Sequence, residues 1–154
     1  MSQRPHDPDC VFCKIVAGAI PSARVLETDL AIAFLDINPV NRGHTLVVPK
    51  AHYAHLSDLP DDLAAAIGAL LPGLCRAIWA ATGADGLNMI VNNGQAAGQT
   101  VDHCHYHIIP RFGDDAVNWP WPHSPYVSDE LGQMQFRIER ELNLRGDDAT
   151  RAEA

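Results

Sequence analysis

Positive charge is scarce in this 154-residue chain: 11 lysines and arginines stand against 19 aspartates and glutamates, for a formal net charge of -8. That balance excludes a general nucleic-acid surface, which needs clustered basic side chains to meet a phosphate backbone. Any phosphate ligand must be held locally. Long apolar runs are missing too. None approaches the roughly 20 residues of a membrane-spanning helix, and the polar opening, Met1 to Asp9, lacks the apolar centre of a signal peptide. The expectation is a cytoplasmic protein with neither a membrane nor a nucleic-acid polymer as partner. Cysteine is sparse: Cys10, Cys13, Cys75 and Cys104 suit metal binding or burial better than a disulfide framework. No internal repeat is present, and only one Ala-rich stretch is of low complexity.

With 47% hydrophobic and 19% charged residues, the chain can bury one ordinary core. A flexible segment over 1–9 is expected to precede a core at 10–112, a C-terminal aromatic and proline-rich segment with a helix at 113–145, and a frayed tail at 146–154. Arg24 to Glu27 and Leu30 to Asp36 read as a hairpin turned at Thr28-Asp29, and His44 to Val48 as a strand stopped by Pro49. From Asp61 to Thr82, Leu63, Ile67, Leu70, Leu71, Leu74 and Ile78 recur at helical spacing, with Gly83 ending the helix and Pro72 expected to kink or split it. Leu87 to Asn92 and Thr100 to Pro110 read as further strands around a Gly-containing loop. A helix over Asp129 to Leu142 is expected to take Ser128 as its N-cap. These elements predict an α+β domain with a mainly antiparallel sheet, one long helix and one C-terminal helix.

Histidine is what the chain has in unusual measure, eight in all, five of them in two short stretches: His52 with His55, and His103, His105 and His107. In an extended strand, side chains two apart share a face, so the last three imidazoles would stand about 6.6 Å apart, the scale of a phosphate with its bridging oxygens. Cys104 and Tyr106 would turn the other way, which argues against a thiol mechanism for Cys104. Imidazole is largely neutral and nucleophilic near pH 7 without a separate base.

The stretch His103-Cys104-His105-Tyr106-His107-Ile108-Ile109 resembles the signature of the histidine triad (HIT) family of nucleotide hydrolases and transferases, and the similarity runs from about Cys10 to Arg111. The resemblance implies a purine nucleotide substrate, with His105 as nucleophile on its α-phosphate and His107 beside the phosphate and leaving group, where a donated proton would help departure. It further implies that Asp36 binds the ribose hydroxyls and that His44 orients the nucleophile. Asn92 and Gly98-Gln99-Thr100 would contact phosphate through backbone N–H groups and short polar side chains, and Phe12, Ile15 and Ile37 would surround the base. A homodimer is implied, and no catalytic metal.

Cys10-x-x-Cys13 can supply half of a tetrahedral zinc site, or simply pack two thiols under the N-terminal segment. The resemblance to zinc-containing bacterial members implies that His52 and His103 complete the set, making the zinc structural because protein fills every position. His55 is expected on the surface. The stiff segment from Trp119 to Tyr126 reads either as a lid on the leaving-group side or as packing for the C-terminal helix. Nucleoside phosphoramidates and dinucleoside polyphosphates are the two expected substrate classes, nucleotidyl transfer to a phosphate acceptor a third. A nucleotide sensor or scaffold with little turnover is the alternative outside catalysis.

Overall fold

The computed structural model describes residues 5–118 and 120–152. Trp119 therefore lies outside the described residues, as do the first four and last two positions of the expected flexible ends. Eight principal elements follow in order: α1 (Val11–Val16), β1 (Arg24–Glu27), β2 (Ala31–Leu35), β3 (Thr45–Pro49), α2 (Asp61–Thr82), β4 (Gly86–Val91), β5 (Tyr106–Arg111) and α3 (Glu130–Ala152). The five strands form one antiparallel sheet in the order β1-β2-β3-β5-β4. The α+β architecture is as the sequence predicts.

The hairpin closes through Thr28, whose hydroxyl oxygen accepts the N–H of Ala31 at 3.1 Å. Every residue of β2 is buried because both faces of the sheet are covered. On one face Ala31, Ala33 and Leu35 join Leu63, Ile67, Leu74 and Ile78 of α2 and Met134 and Ile138 of α3. On the other, Ile32 and Phe34 join Leu46, Val48 and the α1 residues Phe12 and Ile15. Alternation along a strand, with apolar residues at both parities, thus yields two cores rather than one.

Five expectations are corrected. Pro72 does not split α2, which runs unbroken from Asp61 to Thr82; it sits on the exposed side, where water can satisfy the carbonyl its ring leaves unpaired, while buried residues on the opposite side hold the helix together. The same α2, 22 residues long with an 18-residue window of mean hydropathy 1.6, is long and apolar enough by length and composition to cross a membrane. Ser128 caps nothing: it takes φ 52°, and the first turn of α3 is closed by the Glu130 carboxylate accepting the N–H of Val127 at 3.1 Å. The helix then continues to Ala152, beyond the expected end at Leu142.

The fifth correction matters most. The last strand begins at Tyr106, so the three histidines do not share one ladder; only His107 lies in β5. Pairing with β3 stops at Val47↔Tyr106. Upstream, the Cys104 N–H donates to the Tyr53 carbonyl at 2.6 Å and the His103 N–H to Val101 at 2.8 Å. The chain is held by loops there rather than by a neighbouring strand. Alternation survives, since Cys104 and Tyr106 enter the main core away from the histidines.

Candidate active site

His105 is 4% exposed, and its ring is fixed by its own chain. Nδ1 lies 2.6 Å from the His103 carbonyl oxygen, which can only accept, so Nδ1 carries the proton and Nε2 is left with a lone pair. The Phe12 ring stands edge-on at 5.1 Å. Burial pushes the imidazole below its ordinary pKa, keeping it neutral.

His44 and His107 form a second fixed unit. The Val40 N–H donates to His44 Nδ1 at 3.2 Å, which forces the His44 proton onto Nε2. That nitrogen lies 2.9 Å from His107 Nδ1, so it donates, and the His107 proton must sit on Nε2. Burial, reinforced by the neighbouring imidazoles, pushes His44 and His107 down to about 3. Both are neutral at pH 7. The ring centroids of His105 and His107 are 4.8 Å apart. A lone pair on one neutral ring therefore stands beside an N–H donor on the other, equipment for attacking an electrophilic centre that gathers negative charge.

A cavity of about 280 Å³ opens here, lined by Asp36, His44, Asn92, Gly98, Thr100, His105, His107, Pro120, Trp121 and His123. No lysine or arginine is among them. Asp36 accepts the N–H of Asn38 at 2.8 Å and lies 3.8 Å from His44 Nδ1, and burial raises its carboxyl pKa. The turn that returns the chain from Asp36 to His44 needs Gly43, at φ +90°, where a Cβ would lie 2.5 Å from Thr82 Cγ2.

Gln99 departs from the expectation. Its Oε1 accepts the Gly94 N–H at 2.6 Å, and its Nε2 donates to Ala54 at 2.8 Å and Val101 at 2.9 Å. Its side chain clamps the loop from inside and has no capacity left for phosphate, whereas Gly98 and Thr100 face the cavity. Phe12 and Ile15 are buried in the smaller core, Phe12 against His105, and Ile37 is 64% exposed beyond Asp36. His123 was not singled out from sequence; a lone histidine among prolines carries no periodic signal. Its Nδ1–H donates to the Asn38 carbonyl at 2.8 Å, which brings it to the cavity wall.

The second constellation gathers as expected. Cys10 Sγ is 3.4 Å from His103 Nδ1, Cys13 Sγ is 3.6 Å from the same nitrogen, and Cys13 Sγ is 3.4 Å from His52 Nδ1. All four ligand atoms lie within 4.8 Å of one another. A tetrahedron built on ordinary zinc–sulfur and zinc–nitrogen bonds has N···S edges of about 3.5 Å, so the donor set and its spacing fit that ion. His103 Nε2–H donates to the Pro49 carbonyl at 2.9 Å, which leaves the Nδ1 lone pair to face the thiols. His55 is half exposed and pairs with Asp58 at 3.2 Å. Cys104 lies in the main core, its thiol pushed up to about 11 by burial, and is no nucleophile.

The HIT domain model matches residues 17–114. The chain is 44% identical over 128 residues to adenosine 5'-monophosphoramidase hnt1 of Schizosaccharomyces pombe, covering 80% of this chain and 93% of that protein. It is 40% identical over 135 residues to adenylylsulfatase HINT3 of Arabidopsis thaliana, covering 88% of this chain but only 64% of that protein's length. A crystal structure of a zinc-bound histidine triad family protein from Mycobacterium smegmatis superposes with a TM-score of 0.81 at 35% identity, over 91% of this chain and 97% of that one. Fold, histidine signature and relatives agree: the chain belongs to the HIT-domain family.

Proposed function

We propose that the protein is a purine nucleotide hydrolase that attacks the α-phosphate through a covalent nucleotidyl-His105. The observation that carries this reading is the tautomer lock on His105: a carbonyl 2.6 Å from Nδ1 reserves the Nε2 lone pair for the cavity. As the N–P bond forms, the bond from phosphorus to the leaving group breaks; that group departs with the bonding pair and takes a proton from solvent. Water then opens the nucleotidyl-imidazole, releasing the nucleoside monophosphate, one proton and neutral His105.

His107 offers its Nε2–H to the phosphoryl or bridging atom as a hydrogen-bond donor. It does not surrender that proton, because replacing it from His44 would leave an imidazolate. Asp36 accepts the ribose hydroxyls. Asn92, Thr100 and the backbone at Gly98 hold the α-phosphate, and Ile37, with Phe12 and Ile15 behind it, borders the base.

Between the substrate classes, the lining favours phosphoramidates. A dinucleoside polyphosphate would bring several negative charges to a cavity whose one fixed charge is the Asp36 carboxylate, whereas an amine leaving group meets no such repulsion. The named activity of the yeast relative, an adenosine 5'-monophosphoramidase, supports the same choice. Cys10, Cys13, His52 and His103 would hold a structural zinc, which supplies no chemistry to the reaction. It cross-links α1, the loop after β3 and the segment that anchors His105. Four cysteines outside any disulfide suit a reducing compartment, the cytosol. A homodimer completes the reading: β4 is an edge strand, with Met89 on it and Trp79 on α2 both exposed.

The test is to supply purified protein with adenosine phosphoramidate and with diadenosine tetraphosphate, then quench and look for a nucleotide on His105. Faster release of AMP from the amide and an adduct at that residue are expected. Tight AMP binding with neither adduct nor turnover would replace the enzyme with a nucleotide sensor.

A further inference from the structure

Asp115, in the turn that follows β5, is not among the residues lining the cavity, yet its side chain is only 8% exposed and its carboxylate is ringed by donors. Arg111 grips both oxygens, Nε on one and a terminal nitrogen on the other, each at 2.8 Å. The backbone N–H groups of Phe112 and Val117 donate to it at 2.9 and 3.3 Å. These bonds, those from Arg111 foremost, hold the carboxyl below the ordinary carboxylate range, so it stays ionised and can only accept. Arg111 is steadied in turn by Asn88 of β4, whose Oδ1 accepts from it at 2.6 Å.

One donor comes from elsewhere. Asn41, 74 residues earlier, sends Nδ2 to Asp115 at 3.0 Å and to the Pro110 carbonyl at 2.9 Å, which uses both hydrogens of its amide. Its main-chain carbonyl accepts the His44 N–H at 3.1 Å. Asn41 is thus tied to the end of β5 by its side chain and to His44 by its backbone. The neighbouring Val40 N–H occupies His44 Nδ1, so His44 must donate from Nε2 to His107, and the His107 proton is left on Nε2.

We propose that Asn41 and Asp115 are positioning residues for the reaction: the carboxylate holds the Asn41 amide, the loop at Asn41 holds His44, and His44 keeps the His107 proton on the nitrogen that faces the cavity. The inference rests on the donor role given to His107 and extends it to two residues that touch neither substrate nor His107. Their action is geometric, because Arg111 neutralises the Asp115 charge before it reaches the cavity. It also depends on donors rather than on bulk: an aspartate at position 41 would fill the same space but turn an acceptor toward two acceptors.

The experiment follows turnover of adenosine phosphoramidate and the ring 15N shifts of His107 in the full-length protein. Asn41→Ala leaves the Arg111–Asp115 pair intact and should lower kcat about ten-fold, with KM changed less than about two-fold. The His107 ring should then show both tautomers in place of the Nε2–H form alone. Asn41→Asp should do the same despite its equal size. Asp115→Ala should match Asn41→Ala, and the double variant should be no slower than either, because both act along one path. In a His107→Asn background, Asn41→Ala should cost nothing further. A folded Asn41→Ala protein with wild-type kcat and His107 shifts overturns the proposal, as does a ten-fold loss that persists in the His107→Asn background. Wild-type protein that turns over no phosphoramidate overturns the His105 reading instead; the ring shifts need no turnover and then decide the tautomer relay by themselves.

Discussion

His103 and His105 are two residues apart, equally buried and anchored in the same way, by a ring N–H to a backbone carbonyl, yet they present opposite nitrogens. His103 gives its Nε2 proton to Pro49 and turns the Nδ1 lone pair to Cys10 and Cys13. His105 gives its Nδ1 proton to His103 and turns the Nε2 lone pair to the cavity. One ring becomes a metal-type ligand and the other a nucleophile-type group, although their side chains are chemically identical. The lesson is that the partner of the silent nitrogen decides what the other nitrogen can do.

The comparison breaks most sharply at His105. His105→Gly should cut turnover by about four orders of magnitude or more and abolish the trapped nucleotide, measured by single-turnover release of AMP. His107→Asn removes a donor rather than the nucleophile and should cost about 10²–10³-fold in kcat while the adduct still forms slowly. On the other side of the pair, Cys13→Ser should remove one zinc per chain by metal analysis and lower the melting temperature by about 10 °C. Turnover per folded molecule should fall far less than in His107→Asn. Loss of turnover equal to that of His105→Gly would mean that the two clusters are not separable.

Acid should act on the buried rings next. His44 and His107 are held down to about 3 in the folded chain against an ordinary value near 6.5, so between these limits the unfolded chain binds protons that the folded one refuses. Their contribution is fully present above about pH 6.5 and is lost as pH falls toward 3. The melting temperature should therefore drop steadily below pH 6, and His44→Gln should flatten that slope. The smallest effect is expected at Gln99: Gln99→Ala removes an internal clamp, so it should cost about 1–3 kcal/mol of stability, read by denaturant unfolding, with little change in KM.

Much of the framework was readable along the chain. Helix α2 spans the residues its apolar spacing predicts, because one face of a long helix repeats a signal over many turns. The expected first strand is found as β1, and the pairing of β1 with β2 follows from a local turn. Boundaries that depend on a distant neighbour were not readable. The start of β5 is set by where β3 ceases to pair, and the course of the chain before it by Tyr53, a third of the chain away in sequence. Gln99 looked like a phosphate contact because its neighbours are Gly98 and Thr100, and only the position of the Ala54 carbonyl shows its side chain turned inward.

What the sequence determined by itself is the inventory and its parity: three imidazoles at alternate positions on one side of an extended segment, Cys104 and Tyr106 on the other, and a Cys-x-x-Cys pair awaiting two more ligands. Periodicity follows from backbone geometry alone, so no partner is needed to read it. Tertiary structure decided which nitrogen of each ring keeps its lone pair, which histidine joins the thiols, and what covers the cavity. Those outcomes turn on the Pro49 carbonyl, the Val40 N–H and the Asn38 carbonyl that anchors His123 at the cavity wall, groups that reach the histidines only when the folded chain brings them there.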